Sequence, residues 1–311
     1  MQTHLQAPPS AWLVLAIVVV SSLVVDLVGH HGDRGGRRRT AVLWALAWIV
    51  LALAFCGWIG LSFGSRAASE FATAWLVEKS LSVDNLFVFL VVFSRLGIPQ
   101  TERHRVLFWG ILGALVTRGA FIAAGSAMIE AWHGVIYVMG AFLVYTGVKT
   151  LRTDPAADSA APSGIAAFVQ RHLPITPRLH GHHFFTKEGG RRLATPLFVT
   201  LVVIELTDIV FAVDSIPAVF AVSEDPFIVY SSNVFAVLGL RALFVVVADM
   251  LDALPYLRYA ISAILVFTGA KMLASRFIAI PSWLSLSIIA GMVATAVIAG
   301  MIRRRRPASY G

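Results

Sequence analysis

The stretches "VEKSLSVDN" (residues 77–85) and "TDIVFAVDS" (residues 207–215) place acidic residues inside runs that are otherwise apolar. Charged side chains are rare within membrane-spanning helices, and those that occur face the interior of the helix bundle. When the two stretches are aligned, three pairs of polar residues coincide: Glu78 with Asp208, Asp84 with Asp214, and Asn85 with Ser215. The sequence therefore predicts two related membrane helices that carry the same polar pattern.

Two further matches extend this similarity into an internal repeat. The segments "TRGAF" and "FLVYTGVKTL" match "LRALF" and "ILVFTGAKML", at residues 117–121, 142–151, 240–244 and 264–273 in that order. The first of these matches places Arg118 opposite Arg241. The offsets of 130, 123 and 122 residues preserve the order of the segments. This predicts two homologous units of three helices each.

The composition also indicates a membrane protein. Hydrophobic residues make up 58% of the 311 residues, charged residues only 14%, and the mean hydropathy is +0.80. Soluble globular proteins are about 45–50% apolar and about 25% charged. These values exclude a cytosolic enzyme, a disordered protein and a coiled coil.

The net charge of +8 has a simple explanation in a membrane protein. In a soluble protein it would suggest a nucleic-acid partner, but here Lys and Arg mark cytoplasmic loops, and no nucleic acid is expected. The single cysteine, Cys56, excludes an intrachain disulfide and a multi-thiolate metal site.

A membrane-spanning helix needs about 20 mostly apolar residues. Nine segments meet this requirement, at residues 12–29, 41–62, 72–94, 105–127, 134–151, 196–221, 227–248, 256–273 and 282–302. The predicted fold is all-α, a polytopic membrane protein with about nine transmembrane helices and two inverted three-helix repeats. The predicted units are two N-terminal helices (1–71), the first repeat (72–151), a loop (152–195), the second repeat (196–273), and the last helix with a basic tail (274–311).

The basic residues predict the orientation of the chain. With the N-terminus outside, 19 Lys and Arg residues fall on the cytoplasmic side and 3 on the outer side. Three spans per repeat, an odd number, invert the second copy relative to the first, as in many secondary transporters. A duplication retained only for packing is the alternative. The predicted location is the inner (plasma) membrane, with a cytoplasmic C-terminus.

Five carboxylates fall within the spans of the repeats: Glu78, Asp84, Glu205, Asp208 and Asp214. Each uncompensated charge would cost about 2.5–3.5 kcal/mol at a helix centre. Together with Asn85 and Ser215 they form an all-oxygen ligand set, which suits Mg²⁺, Ca²⁺ or Mn²⁺ better than Cu or Zn. The alternative is a set of structural ion pairs with the candidate charge-compensating residues, Lys79, Arg118 and Arg241.

Helix geometry predicts a break in the helix that carries Asp208 and Asp214. These residues are six positions apart, so on an unbroken helix they point about 120° apart and lie about 9 Å apart along the axis. Pro217 removes a backbone donor close by. We therefore expect a kinked or broken helix there, with free carbonyl oxygens as additional ligands.

The long connection at 152–194 is rich in Pro, Gly and basic residues and is predicted to be a cytoplasmic loop between the repeats. It contains "LHGHH", with His180, His182 and His183. These histidines could collect metal ions on the cytoplasmic side, or they could simply be solvated. The loop could also recruit soluble or membrane partners.

Four motifs resemble those of the TerC family of integral membrane proteins, which includes Alx-type members. They are "WLVEKSLSVDNLFVF" (75–89), "ELTDIVFAVDSIPAVFAVS" (205–223), "SNVFAVLGLRALF" (232–244) and "LVFTGAKML" (265–273). The resemblance covers about residues 45 to 275. It implies export of Mn²⁺, a link to tellurite resistance, and metal handling by Glu78, Asp84, Asn85, Glu205, Asp208, Asp214 and Ser215.

The sequence and the resemblance together predict a secondary transporter that exports Mn²⁺, in exchange for protons and without a prosthetic group. A Ca²⁺ transporter is the alternative within this class, because oxygen ligands serve both ions. The alternative from another class is a membrane scaffold or sensor in a stress-resistance complex. An enzyme is not expected, because the sequence contains no nucleophile–base pair and no nucleotide-binding motif.

Overall fold

Long helices dominate the computed structural model of this chain. It describes residues 7–29, 38–132, 134–152, 168–169, 171, 173–188, 190–248, 257–275, 277 and 280–305. Within some helices only the backbone is described, and Asp84 is one of the residues whose side chain lies outside the description.

The described helices coincide with the predicted spans. They are α1 (Pro9–Gly29), α2 (Arg38–Phe63), α3 (Ser65–Arg95), α4 (Gln100–Ala131), α5 (Val135–Arg152), α6 (Pro196–Phe220), α7 (Pro226–Leu238), α8 (Leu240–Ala248), α9 (Leu257–Ala274) and α10 (Ser282–Arg305). A two-stranded antiparallel sheet, β1 (Phe185–Glu188) and β2 (Arg191–Ala194), precedes α6. The predicted loop therefore contains a hairpin, for which Gly190, with a φ of 79°, supplies part of the turn.

Length and apolar composition confirm a polytopic all-α membrane protein. Among the described residues, α2, α4, α6 and α10 are each long and apolar enough to cross a membrane. Helices α7 and α8, with a bend of 40° at Gly239, are long and apolar enough together to form a fifth span or a re-entrant segment. The helices α1, α5 and α9 are apolar but shorter, and α3 is long but carries the charges of the first acidic motif. The number nine and the inverted repeat stay predictions.

The predicted break beside Pro217 is wrong. Helix α6 runs continuously to Phe220 and includes Pro217 in its last turn, although this proline cannot donate to the Val213 carbonyl. Instead, the break lies between α7 and α8, in the segment predicted as one helix from 227 to 248.

Helices α5 and α9, the third helices of the two predicted repeats, cross closely through glycines. A Cβ added at Gly147 would lie 2.9 Å from the carbonyl oxygen of Ser262, and one added at Gly269 would lie 2.6 Å from that of Gly140. In the repeat alignment, Gly147 corresponds to Gly269 and Gly140 to Ser262. Each contact is therefore the counterpart of the other, as a two-fold axis between the repeats would require.

This crossing predicts a stability difference between two glycine substitutions. Gly269→Ala brings the new methyl group against backbone and should destabilise the protein by about 1–3 kcal/mol. Gly57→Ala in α2 is the matched control, because no atom lies within 4 Å of the added Cβ. Thermal unfolding in detergent measures both, and equal melting temperatures would contradict close packing of α5 on α9.

Candidate functional site

One face of α3 presents a buried polar stripe toward the other central helices. Glu78, Ser82 and Asn85 are spaced at i, i+4 and i+7, so they share this face. Their exposed fractions are 0%, 0% and 3%. Helices α6 and α7 pack against α3, and Arg118 of α4 reaches it through an ion pair with Glu78. The stripe therefore faces protein rather than lipid.

Arg118 of α4 is the centre of the site. Its guanidinium donates from Nε to Asp208 Oδ2 at 3.1 Å and from Nη2 to Asp208 Oδ1 at 2.8 Å. Nη1 donates to Glu78 Oε1 and, at 3.1 Å, to Asn233 Oδ1. Asn85 Nδ2 completes the group with a 3.4 Å bond to Asp208 Oδ1. One arginine thus joins an acid from each of the two predicted repeats.

The site lies at mid-depth, between two apolar layers of the helix bundle. Asp208 is the middle residue of the 25-residue helix α6, about 18 Å from either end. On α6, Ile204 packs in one buried apolar cluster and Ala212 in another, on either side of Asp208. Arg118 is only 1% exposed. The charges are therefore separated from both ends of α6.

Several polar atoms of this site remain without a hydrogen-bond partner. Glu78 Oε2, Ser82 Oγ and Asn233 Nδ2 are buried and make no hydrogen bond. Buried polar groups normally have hydrogen-bond partners, and a group without one is a candidate contact for a water molecule or an ion. The atoms therefore fit a site that holds an additional polar species.

The structure brings together only part of the predicted ligand set. Glu78, Asn85 and Asp208 meet, whereas the Glu205 carboxylate lies against Gly113 of α4. Asp214 accepts a 3.4 Å bond from Thr146 of α5. Ser215 Oγ is buried without a partner, and the Asp84 side chain lies outside the described residues. No group of three His, Cys, Asp or Glu side chains suited to one metal ion occurs in the described part.

The three candidate charge-compensating residues differ in their surroundings. Arg118 pairs with two acids. Lys79 instead donates to the Ala236 carbonyl oxygen at 3.0 Å, at the end of α7. Arg241 is buried, 6% exposed.

Sequence reasoning missed Ser82 and Asn233. Ser82 could have been found from its i+4 spacing to Glu78. Asn233 lies in a motif quoted for the family resemblance, yet no local pattern connects it with Arg118, 115 residues away. Only the packing of α7 against α4 brings the two together.

The segment before α6 folds into a small cap on the ends of α4 and α6. His182 Nδ1 lies 2.8 Å from Glu102 Oε1, in the first turn of α4. The Arg105 guanidinium stacks on Phe184 with 5.5 Å to the ring centroid. Thr195, the residue before α6, donates from its backbone N–H to the Phe184 carbonyl. The cap thus connects a helix of each predicted repeat at one end of the bundle.

A second contact connects α3 with the opposite end of α6. Ser223, just beyond that helix, donates to Glu70 Oε2 of α3 at 2.8 Å. Arg66 also pairs with Glu70, at 2.9 Å. Polar contacts therefore connect α6 and its flanking segments with α3 and α4 at both ends, on either side of the Arg118 cluster.

Removal of the central arginine should strongly destabilise the protein. Arg118→Met leaves Glu78 and Asp208 buried without a cation, which costs about 3–5 kcal/mol. Arg66→Met is the control, because the Arg66 side chain is 72% exposed and its ion pair contributes about 0–1 kcal/mol. Thermal unfolding compares the two variants. Adding Glu78→Gln and Asp208→Asn to Arg118→Met should recover stability, and equal melting of both single variants would contradict a shared buried charge.

The cap should open more easily when its histidine is removed. His182→Ala leaves Glu102 without its partner and should make trypsin cleavage at Lys187 and Arg191 roughly fivefold faster, as expected for the loss of about 1 kcal/mol. His183→Ala removes a neighbouring exposed histidine and is the control. The measurement is the rate of trypsin cleavage in the full-length variants. Identical rates for His182→Ala and His183→Ala would contradict docking of the cap through His182.

Apolar helices packed around buried charges define this protein as a polytopic integral membrane protein. More specifically, the chain belongs to the TerC family. The family described as "Integral membrane protein TerC family" matches residues 63–308.

Full-length relatives agree with this assignment. The uncharacterized membrane protein STKORF319 of Myxococcus xanthus is 45% identical over 298 residues, which cover 96% of this chain and 93% of that protein. The putative membrane-bound redox modulator Alx of Escherichia coli K12 is 38% identical over 314 residues, with 97% and 98% coverage. An uncharacterized membrane protein of Rickettsia felis is 36% identical over 295 residues, with 94% and 98% coverage. No solved structure matches the chain.

Proposed function

We propose that this protein is a secondary transporter that exports a hard divalent cation from the cytoplasm, with Mn²⁺ as the first candidate and Ca²⁺ as the alternative cargo. One observation carries the proposal: a single buried arginine, Arg118, holds Glu78 and Asp208 at mid-depth. Transporter sites formed between repeats lie near the bilayer midplane.

The donor set of the site fits a hard cation. Carboxylates of Glu78 and Asp208, amide oxygens of Asn85 and Asn233 and the Ser82 hydroxyl are all oxygen ligands. Such ligands suit Mn²⁺, Mg²⁺ and Ca²⁺. The Asn85 side chain would need to turn its oxygen toward the ion, whereas Asn233 Oδ1 already faces the guanidinium that the ion would replace. The ligand number does not separate Mn²⁺ from Ca²⁺, so selectivity is left to experiment.

Arg118 supports a mechanism in which a protein cation and the cargo compete. In the described conformation the guanidinium supplies the positive charge that the two acids need. A divalent cation would displace it, and its return would favour release of the cargo. Protons could neutralise the same carboxylates on the return step, which gives exchange of the cation for protons.

The remaining predicted ligands fit positions along the route of the ion through the bundle, rather than positions in the Arg118 cluster. Glu205, Asp214 and Ser215 lie on the same helix as Asp208, and Asp214 is one and a half turns beyond it. We assign Asp84 to this route as well, because it is the counterpart of Asp214 in the repeat alignment. Rocking of one repeat against the other would expose the site to each side in turn.

The name of the Escherichia coli relative, putative membrane-bound redox modulator, suggests another role. This chain has one cysteine, so it has no pair of thiols for an intrachain dithiol reaction. Its Cys56 thiol donates to the Ala68 carbonyl at 3.3 Å. The charge cluster therefore carries the proposal more directly than the thiol does.

Mn²⁺ uptake into proteoliposomes, with and without an imposed pH gradient, tests the proposal. Glu78→Gln and Asp208→Asn should each lower the initial rate by at least about tenfold, because the loss of one charged ligand costs more than about 1.4 kcal/mol. The double variant Asp84→Asn/Asp214→Asn tests the predicted path. Glu130→Gln, an exposed acid on α4, should transport normally.

Two results would count against transport through this cluster, and a third would change only the identity of the cargo. Flux in Glu78→Gln and Asp208→Asn equal to that of Glu130→Gln would contradict the site. A preference for Ca²⁺ over Mn²⁺ would change the proposed cargo, and the protein would still be a transporter of divalent cations. No flux above empty liposomes, in folded protein, would contradict transport itself and favour the scaffold, whose function should then depend on the loop at 152–194.

A further inference from the structure

Lys79 lies beside the acidic site but does not pair with its acids. The side chain leaves α3 next to Glu78, and its Nζ donates to the carbonyl oxygen of Ala236 at 3.0 Å. Among the described residues, no carboxylate lies within ion-pair distance of this ammonium. The positive charge is therefore compensated by backbone, in a part of the bundle where an unpaired charge is costly.

The carbonyl that binds Lys79 belongs to the broken span. Ala236 lies in the last turn of α7, and the chain bends by 40° at Gly239 before α8 begins. The last carbonyls of a helix lack intrahelical donors and form the negative end of the helix dipole. In transporters with discontinuous membrane helices, such half-helix ends coordinate Na⁺ or a proton.

The break is shaped to admit this ammonium. A Cβ added at Gly239 would lie 2.8 Å from Lys79 Nζ, so a side chain at this position would push the ammonium away. The C-terminal part of α7 is also bound by Arg118, whose Nη1 donates to Asn233, three residues before Ala236. The break is thus coupled to the acidic site through two cations, one on α3 and one on α4.

We propose that the Lys79 ammonium is a built-in cation that takes the place of a bound Na⁺ ion at the break of the α7–α8 span. Lys79 is then a positioning residue, which fixes the end of α7 relative to α3. It makes the stability of the broken span, and the coupling of transport, independent of Na⁺. Only the coupling to transport rests on the proposed function.

The first experiment measures thermal unfolding of the full-length protein in NaCl and in choline chloride at equal ionic strength. Wild-type protein should melt at the same temperature in both salts. Lys79→Ala should melt lower in choline chloride and gain about 2–4 °C in NaCl at roughly ten times the dissociation constant, because Na⁺ fills the vacated place. Lys187→Ala, at an exposed position of β1, is the control and should respond to neither salt.

A second variant keeps the test decisive if Lys79→Ala does not fold. Lys79→Gln retains an N–H donor for the Ala236 carbonyl but loses the charge. It should therefore fold, and it should melt at a higher temperature in NaCl than in choline chloride. A folded Lys79→Ala or Lys79→Gln variant that melts identically in both salts would overturn the proposal. So would a dependence on Na⁺ in the wild-type protein.

Mn²⁺ flux in proteoliposomes is a second readout, which would not depend on Na⁺ if the contact of Lys79 with Ala236 were only structural. An inward Na⁺ gradient should alter Mn²⁺ flux in Lys79→Gln and leave the wild-type flux unchanged. An unchanged flux in the variant would overturn the coupling role. If the wild-type protein carries no Mn²⁺, the proposed function fails, whereas the melting experiment still decides whether Lys79 stands in for Na⁺.

Discussion

Arg118 binds Glu78 and Asp208 at the middle of the helix bundle, and the central helices are arranged around these three charges. A lone charge at this depth costs about 2.5–3.5 kcal/mol on insertion scales, so each of the acids depends on the arginine. The bidentate geometry toward Asp208 adds direction to the attraction. It fixes α4 against α6, while the contact with Glu78 fixes both against α3.

The packing and the charges follow different symmetries. The reciprocal glycine contacts between α5 and α9 are those that a two-fold axis between the predicted repeats would require. In contrast, one arginine serves the acids of both repeats, and Lys79 corresponds to the apolar Ile209 in the alignment. The break at Gly239 has no counterpart in α4, which is continuous through Ala131. Thus the site is asymmetric with respect to the predicted repeats, because the second contains the break and the first supplies both cations.

The sequence predicted the helices well because the bilayer imposes a strong local rule. Each span must be long and apolar, and each described helix coincides with a predicted segment. The acids of the central cluster were also predicted, since a carboxylate in such a segment needs a partner. The break was assigned to the wrong helix, because α6 continues through Pro217, whereas the chain breaks at Gly239, a residue type common in unbroken membrane helices.

By itself, the sequence determined that this is an all-α membrane protein with acids buried in two similar helices, because hydropathy and periodicity are properties of neighbouring residues. Only the tertiary structure decided which groups meet. Arg118 contacts Asn233 across 115 residues, and Lys79 contacts Ala236 across 157. Such partners depend on how the helices rotate and cross, and this is set by packing of side chains along their whole length. A polar residue shows that a partner is required, and the fold selects the partner.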